Sequence, residues 1–197
     1  MAETPTRTKE IEVDKLFKND RKKIFVELGH GGPTTINSKI IKKGLEDGDA
    51  NYLGIEVDPE AFYQLASIGR DNDWVKSLRL DITDNLNGLE ESADEVWLRN
   101  LKYVGVNKDI DNRFIKSIYG MVKPGGKFVF VNNYDNFSEA LTQEVIEMTE
   151  AAGFDVKRVD MEVSDELIIK AYRDDPNIQD LSIAGVNNVG LVATKPL

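Results

Sequence analysis

IFVELGHGGPTTI, residues Ile24 to Ile36, passes from an apolar run through glycines to a helix start within one short stretch. Ile24, Phe25, Val26 and Leu28 are strand-forming types; Gly29, Gly31 and Gly32 break the run, and Pro33 suits the first turn of a helix. A glycine turn of this kind lets backbone amides approach a ligand closely and aims a helix N-terminus at it. Glu27 puts an acid in the strand just ahead of the glycines, an unfavourable place for a phosphate.

Outward from this unit, strand and helix signals alternate. Residues 1–22 read as an N-terminal extension whose Ile11, Val13, Leu16 and Phe17 can cover one edge of a core. Arg21, Lys22 and Lys23 fall at the N-terminal end of the first strand, away from the carboxyl ends where open sheets bind ligands, so they read as a solvated boundary. Beyond Pro33, Ile36, Ile40 and Ile41 keep helical spacing. Asn51 to Val57 predicts a second strand closing on Glu56, and Asp58-Pro59 opens a helix with Phe62, Leu65 and Ala66 inward. Ser77 to Leu80 gives a third strand followed by Asp81, and Asp94 to Leu101 a fourth, around Val96, Trp97 and Leu98, in which Trp97 is core. A helix from about Asp109 places Phe114, Ile118 and Met121 on one face, and Lys123-Pro124-Gly125-Gly126 stops it in a type II turn. Lys127 to Val131 is a fifth strand, Leu141, Val145 and Met148 mark another helix ended by Gly153, and Phe154 to Val163 and Asn188 to Thr194 are the last strands. This alternation predicts an α/β, doubly wound, Rossmann-like sandwich: a single domain over 23–197 with an insertion at about 164–187.

Length and composition agree. The 197 residues suit one domain, and the net charge of −10 disfavours broad attraction to nucleic acid or anionic membranes, though it leaves room for a local basic groove; DNA is not an expected partner. With no cysteine and a single histidine, disulfides, thiolate nucleophiles and Cys or His metal clusters are excluded, and no metal is expected. No run approaches the roughly 20 apolar residues of a membrane span, so the expected location is cytoplasmic.

Glu27, Gly29, Gly31, Glu56 and Asp81 belong to three strands that a doubly wound sheet brings to one crevice. A carboxylate ending the second strand can accept the hydroxyls of a ribose, the role read for Glu56; Asp81 can reach an adenine edge, with Val57 and Ile82 against the ring. Two adenosine cofactors compete. A dinucleotide calls for G-x-G-x-x-G, but the third glycine position is Thr34, and Glu27 would stand near its phosphates. S-adenosylmethionine carries a carboxylate suited to the helix N-terminus and an ammonium suited to Glu27, so it is favoured.

The chain from about Lys23 to Thr194 resembles the class I S-adenosylmethionine-dependent methyltransferases. VELGHGG, GIEVDPE, LRLDI, DEVWLRN and VKPGGKFVF are similar to that family's successive motifs, with Pro33 where the last glycine of G-x-G-x-G commonly stands. The resemblance implies a seven-stranded sheet of order 3-2-1-4-5-7-6 with strand 7 antiparallel. It also implies that Glu27, Gly29, His30 and Gly31 surround the methionine part, with Gly32 able to compensate for Pro33, that Glu56 holds the ribose, and that Asp81 and Ile82 meet the adenine. Arg99 or Asn100 would then lie beside the reacting sulfonium, and His30 reads as a loop residue touching cofactor rather than a base.

Arg99, Asn100 and Tyr103 are the catalytic candidates, with Asn132, Asn133 and Tyr134 as further acceptor-side residues. The Asn/Asp-Pro-Pro-aromatic tetrapeptide of family members acting on nucleic-acid amines is absent, and likeness to the tRNA guanine-N7 enzymes stops before their proline-rich segment. A small-molecule acceptor is therefore favoured and RNA is second. Two rivals are a non-catalytic interaction protein of the same fold and an aminopropyl transferase, whose acid-rich segment after the fourth strand is not seen. Nothing in the sequence indicates an oligomeric state.

Overall fold

The computed structural model describes residues 13–20, 23–29, 50–82, 86, 88–99, 108–132, 139–160 and 189–197. Their strands are β1 (Lys23–Leu28), β2 (Ala50–Glu56), β3 (Val75–Arg79), β4 (Ala93–Arg99), β5 (Val122–Asn132), β6 (Asp155–Asp160) and β7 (Val189–Thr194). They form one seven-stranded sheet in the order β3-β2-β1-β4-β5-β7-β6. β1 pairs in parallel with β2 and β4, β2 with β3, and β4 with β5, while β7 runs antiparallel to both β5 and β6. This is the doubly wound sheet the alternation predicts, with the order and the reversed last strand that the family resemblance implies.

Alternation along each strand divides the core between two faces. Ile24, Val26 and Leu28 join Leu53, Ile55, Val96, Leu98, Phe128 and Phe130 under Phe114, Ile115 and Ile118 of the helix Lys108–Met121 and Val145 of the helix Glu139–Ala151. Val13 and Phe17, from the short helix Val13–Leu16 and the residue after it, close the same cluster. The opposite face packs Tyr52 and Val75 against Trp74 and Leu65, the latter from the helix Pro59–Asp71.

That last helix starts where Asp58 and Pro59 predict: the Asp58 side chain accepts from Ala61 N at 2.9 Å, capping the first turn, and proline occupies the position that needs no donor. Its inward stripe differs from the sequence reading. Ala61 and Leu65 are buried, whereas Phe62 and Ala66 are half-buried, so the helix is rolled by about one residue. Small Ala61 thereby faces the sheet, and Phe62 packs edge-on against Tyr63, with ring centroids 5.2 Å apart. β3 begins at Val75, ahead of the expected Ser77, because the Trp74 carbonyl already accepts from Tyr52 N at 2.8 Å.

The Lys123-Pro124-Gly125-Gly126 turn interrupts β5 near its start, and the pairing jumps from Ala93 with Val122 to Glu95 with Lys127. Gly125 has φ 77°, the positive value that the third residue of a type II turn requires. The chain end docks here: Gly125 N donates to Lys195 O at 2.8 Å, and Lys195 N donates to Gly126 O at 3.0 Å. Buried Lys195 sends its Nζ to Val122 O at 2.9 Å, Tyr119 O at 3.2 Å and Glu91 Oε1 at 3.4 Å. All of this lies at the amino ends of the parallel strands, opposite the glycine turn.

Candidate functional site

Register decides which acids meet. Glu27 pairs with Gly54, so Glu27, Gly54 and, two residues on, Glu56 project from the same face near the carboxyl ends of adjacent strands. Glu27 is 2% exposed and accepts a hydrogen bond from the Tyr52 hydroxyl. Immediately beyond β1, Gly29 takes φ 62°, a conformation that favours glycine, while its N–H donates to Ile55 O at 2.8 Å. The glycine thus continues the pairing with β2 while turning the chain out of the sheet.

Glu56 ends β2 and is 7% exposed. Its Oε1 accepts from Val57 N at 2.8 Å and from Asp58 N at 3.1 Å, which fixes the carboxylate at the corner between β2 and the following helix. Beside it the Val57 side chain is 54% exposed, a large apolar group left uncovered by the protein. The neighbouring strand is tied to this corner: Leu80 N donates to Glu56 O at 3.1 Å, and the Arg79 guanidinium donates to Val57 O at 3.4 Å. Asp81 follows as an exposed residue and Ile82 as a buried one. Two carboxylates, an uncovered apolar surface and a glycine turn are thereby gathered at one end of the sheet.

Of the other candidates, Arg99 is the last residue of β4 and Asn132 the last of β5, both at carboxyl ends. His30, Gly31, Gly32, Pro33, Asn100, Tyr103, Asn133, Tyr134 and the 164–187 insertion lie outside the described residues. Trp97 is buried in central β4, with its indole N–H donating to Glu95, as a core residue should be. Among the described residues there is no group of three or more His, Asp or Glu able to hold a metal, and no helix is long and apolar enough to cross a membrane. Tyr52 is the residue that sequence pattern alone does not single out. Its signal is faint: the strand period places it on the face of Gly54 and Glu56, but only pairing with β1 brings Glu27 within its reach.

Compared by sequence, the chain matches no protein-family model and no curated protein. Solved structures do match. The aminoglycoside resistance methyltransferase NpmB1 superposes with a TM-score of 0.63 at 14% identity, covering 89% of this chain and 88% of its own. The protein has the class I methyltransferase fold. The Haemonchus contortus phosphoethanolamine N-methyltransferase 2, solved with S-adenosyl-L-methionine, matches with a TM-score of 0.58 at 16% identity; the match covers 94% of this chain and 51% of the larger enzyme. The methyltransferase fold is also that of the [4+2]-cyclase SpnF, which matches with a TM-score of 0.61 at 17% identity over 93% of this chain and 78% of its own. Fold alone therefore does not name the reaction, which rests on the side chains at the crevice.

Proposed function

We propose that this protein is an S-adenosylmethionine-dependent methyltransferase. The observation that carries the reading is the pair of buried carboxylates, Glu27 and Glu56, set on one face at the ends of adjacent strands with exposed Val57 beside them. That set fits an adenosine bearing an amino acid. Glu56, oriented by two backbone amides, would accept the ribose hydroxyls; Val57 and Ile82 would cover the adenine, with Asp81 at its edge; and Glu27 would hold the ammonium. The same acid at Glu27 disfavours a pyrophosphate. His30, Gly31, Gly32 and Asn100, which follow Gly29 and Arg99 in sequence, are the remaining proposed contacts.

When bound, S-adenosylmethionine supplies a methyl on positively charged sulfur, whose C–S bond breaks as a lone pair of the acceptor forms the new bond. The chain's own contribution to such an in-line displacement is alignment and exclusion of water. Arg99, Asn100 and Tyr103 are the proposed acceptor-side groups. A small molecule is the favoured acceptor, ahead of RNA, because a net charge of −10 disfavours broad attraction to a polyanion and the Asn/Asp-Pro-Pro-aromatic tetrapeptide is absent after the fourth strand.

Calorimetry with S-adenosylhomocysteine tests the reading. Saturable binding in the micromolar range is expected; no heat at millimolar ligand would instead favour a non-catalytic member of the fold. Tighter binding of decarboxylated S-adenosylmethionine than of the intact cofactor would reassign the chain to aminopropyl transfer. Because the fold also serves a cyclase, transfer of a labelled methyl to candidate acceptors is measured separately from binding.

A further inference from the structure

Tyr52 is 3% exposed and its ring is wedged among Leu65, Trp74 and Val75, with Phe25 and Ile68 against the same cluster. Its backbone N–H is anchored to Trp74 O at 2.8 Å. Packing alone would be served by phenylalanine; what tyrosine adds is a hydroxyl, and that hydroxyl donates to Glu27. The register explains the reach. Glu27 stands beside Gly54, which has no side chain, and Tyr52 lies two residues earlier on the same face, a diagonal of about 7–8 Å that an aromatic side chain spans. A glutamate has several rotatable bonds, and a donor fixed in an apolar cluster removes much of that freedom before any ligand arrives. The same cluster includes Leu65 of the helix that follows Glu56, so the two ends of the proposed ligand are referred to one rigid body.

We propose that Tyr52 is a positioning residue that holds the Glu27 carboxylate as acceptor for a ligand ammonium, and so makes the site select nucleosides that carry an amino acid over those that lack one. This rests on the cofactor reading above. The hydroxyl acts through Glu27, to which it donates.

The test compares, by calorimetry on the full chain, S-adenosylhomocysteine with 5′-methylthioadenosine, which keeps the nucleoside and loses the amino acid. Tyr52→Phe is expected to weaken S-adenosylhomocysteine about tenfold while leaving 5′-methylthioadenosine within about twofold, a selectivity that a general loosening of the fold would not produce. In a Glu27→Gln background, adding Tyr52→Phe is expected to change neither affinity. Equal weakening of both ligands by Tyr52→Phe, or no change in either, overturns the proposal. Should Tyr52→Phe alone fail to fold by circular dichroism, the pair in the Glu27→Gln background decides, and a further loss of S-adenosylhomocysteine there overturns it. Unmutated protein that binds both ligands equally removes the role of Glu27 and Tyr52 but leaves the cofactor reading standing; protein that binds neither removes both.

Discussion

Glu56→Ala deletes a carboxylate whose Oε1 accepts from Val57 N at 2.8 Å and Asp58 N at 3.1 Å, and its two effects separate by size. Val57 and Asp58 are exposed, so water can take over their amides, and the loss in stability should be about 1 kcal/mol. For a chain of this length that is a fall of about 2–4 °C in Tm. Binding should suffer more. Two hydrogen bonds from ribose hydroxyls to a charged acceptor, taken at the low end of about 1.5 kcal/mol each, amount to about 3 kcal/mol, or about two orders of magnitude in Kd. Calorimetry with S-adenosylhomocysteine at 25 °C, alongside thermal melts, reads both quantities. Glu56→Gln keeps an oxygen for the two amides and should retain Tm while still losing part of the affinity. A Glu56→Ala protein that melts as expected but binds within about twofold of the unmutated chain would refute the assignment of β2's end to the ribose.

Val57→Asp should leave stability within about 0.5 kcal/mol, since the side chain is 54% exposed, yet weaken S-adenosylhomocysteine by removing an apolar surface for the adenine; melts and calorimetry together check this. Lys195→Met should lower stability by about 2 kcal/mol, a Tm drop of about 4–8 °C, because it removes the donor shared by Val122 O and Tyr119 O, while cofactor affinity at the far end of the sheet stays unchanged. Gly126→Ala should destabilise by about 1–3 kcal/mol in urea unfolding, because its Cβ would sit 2.9 Å from the Asp94 and Lys123 carbonyl oxygens. Gly120→Ala, in a helix and with nothing within 4 Å of its Cβ, should stabilise by about 0.5–1 kcal/mol in the same assay.

Much of the sheet is legible in the chain because its signals are local. Apolar runs, the Asp58-Pro59 helix start and the Lys123-Pro124-Gly125-Gly126 turn each depend on a few neighbouring residues and appear near their expected places, except that β5 begins at Val122 rather than Lys127, because pairing with Ala93 takes the strand in ahead of the turn. The inward face of the helix Pro59–Asp71 is less legible. Phe62 and Ala61 are both acceptable next to Leu65, and contact with β2 and β3 chooses between them.

The sequence by itself determined the building blocks of this protein: the strand from Ile24 to Leu28 with the glycine break at Gly29, and the acids Glu27, Glu56 and Asp81 at or near strand ends. Short-range sterics and hydrophobic period are enough to set those. Tertiary structure alone decided that Tyr52 reaches Glu27 across Gly54, and that Lys195 returns to the end of the helix Lys108–Met121. Both are pairings between residues far apart in the chain, fixed by strand register and closed only when the sheet assembles. No local propensity encodes them.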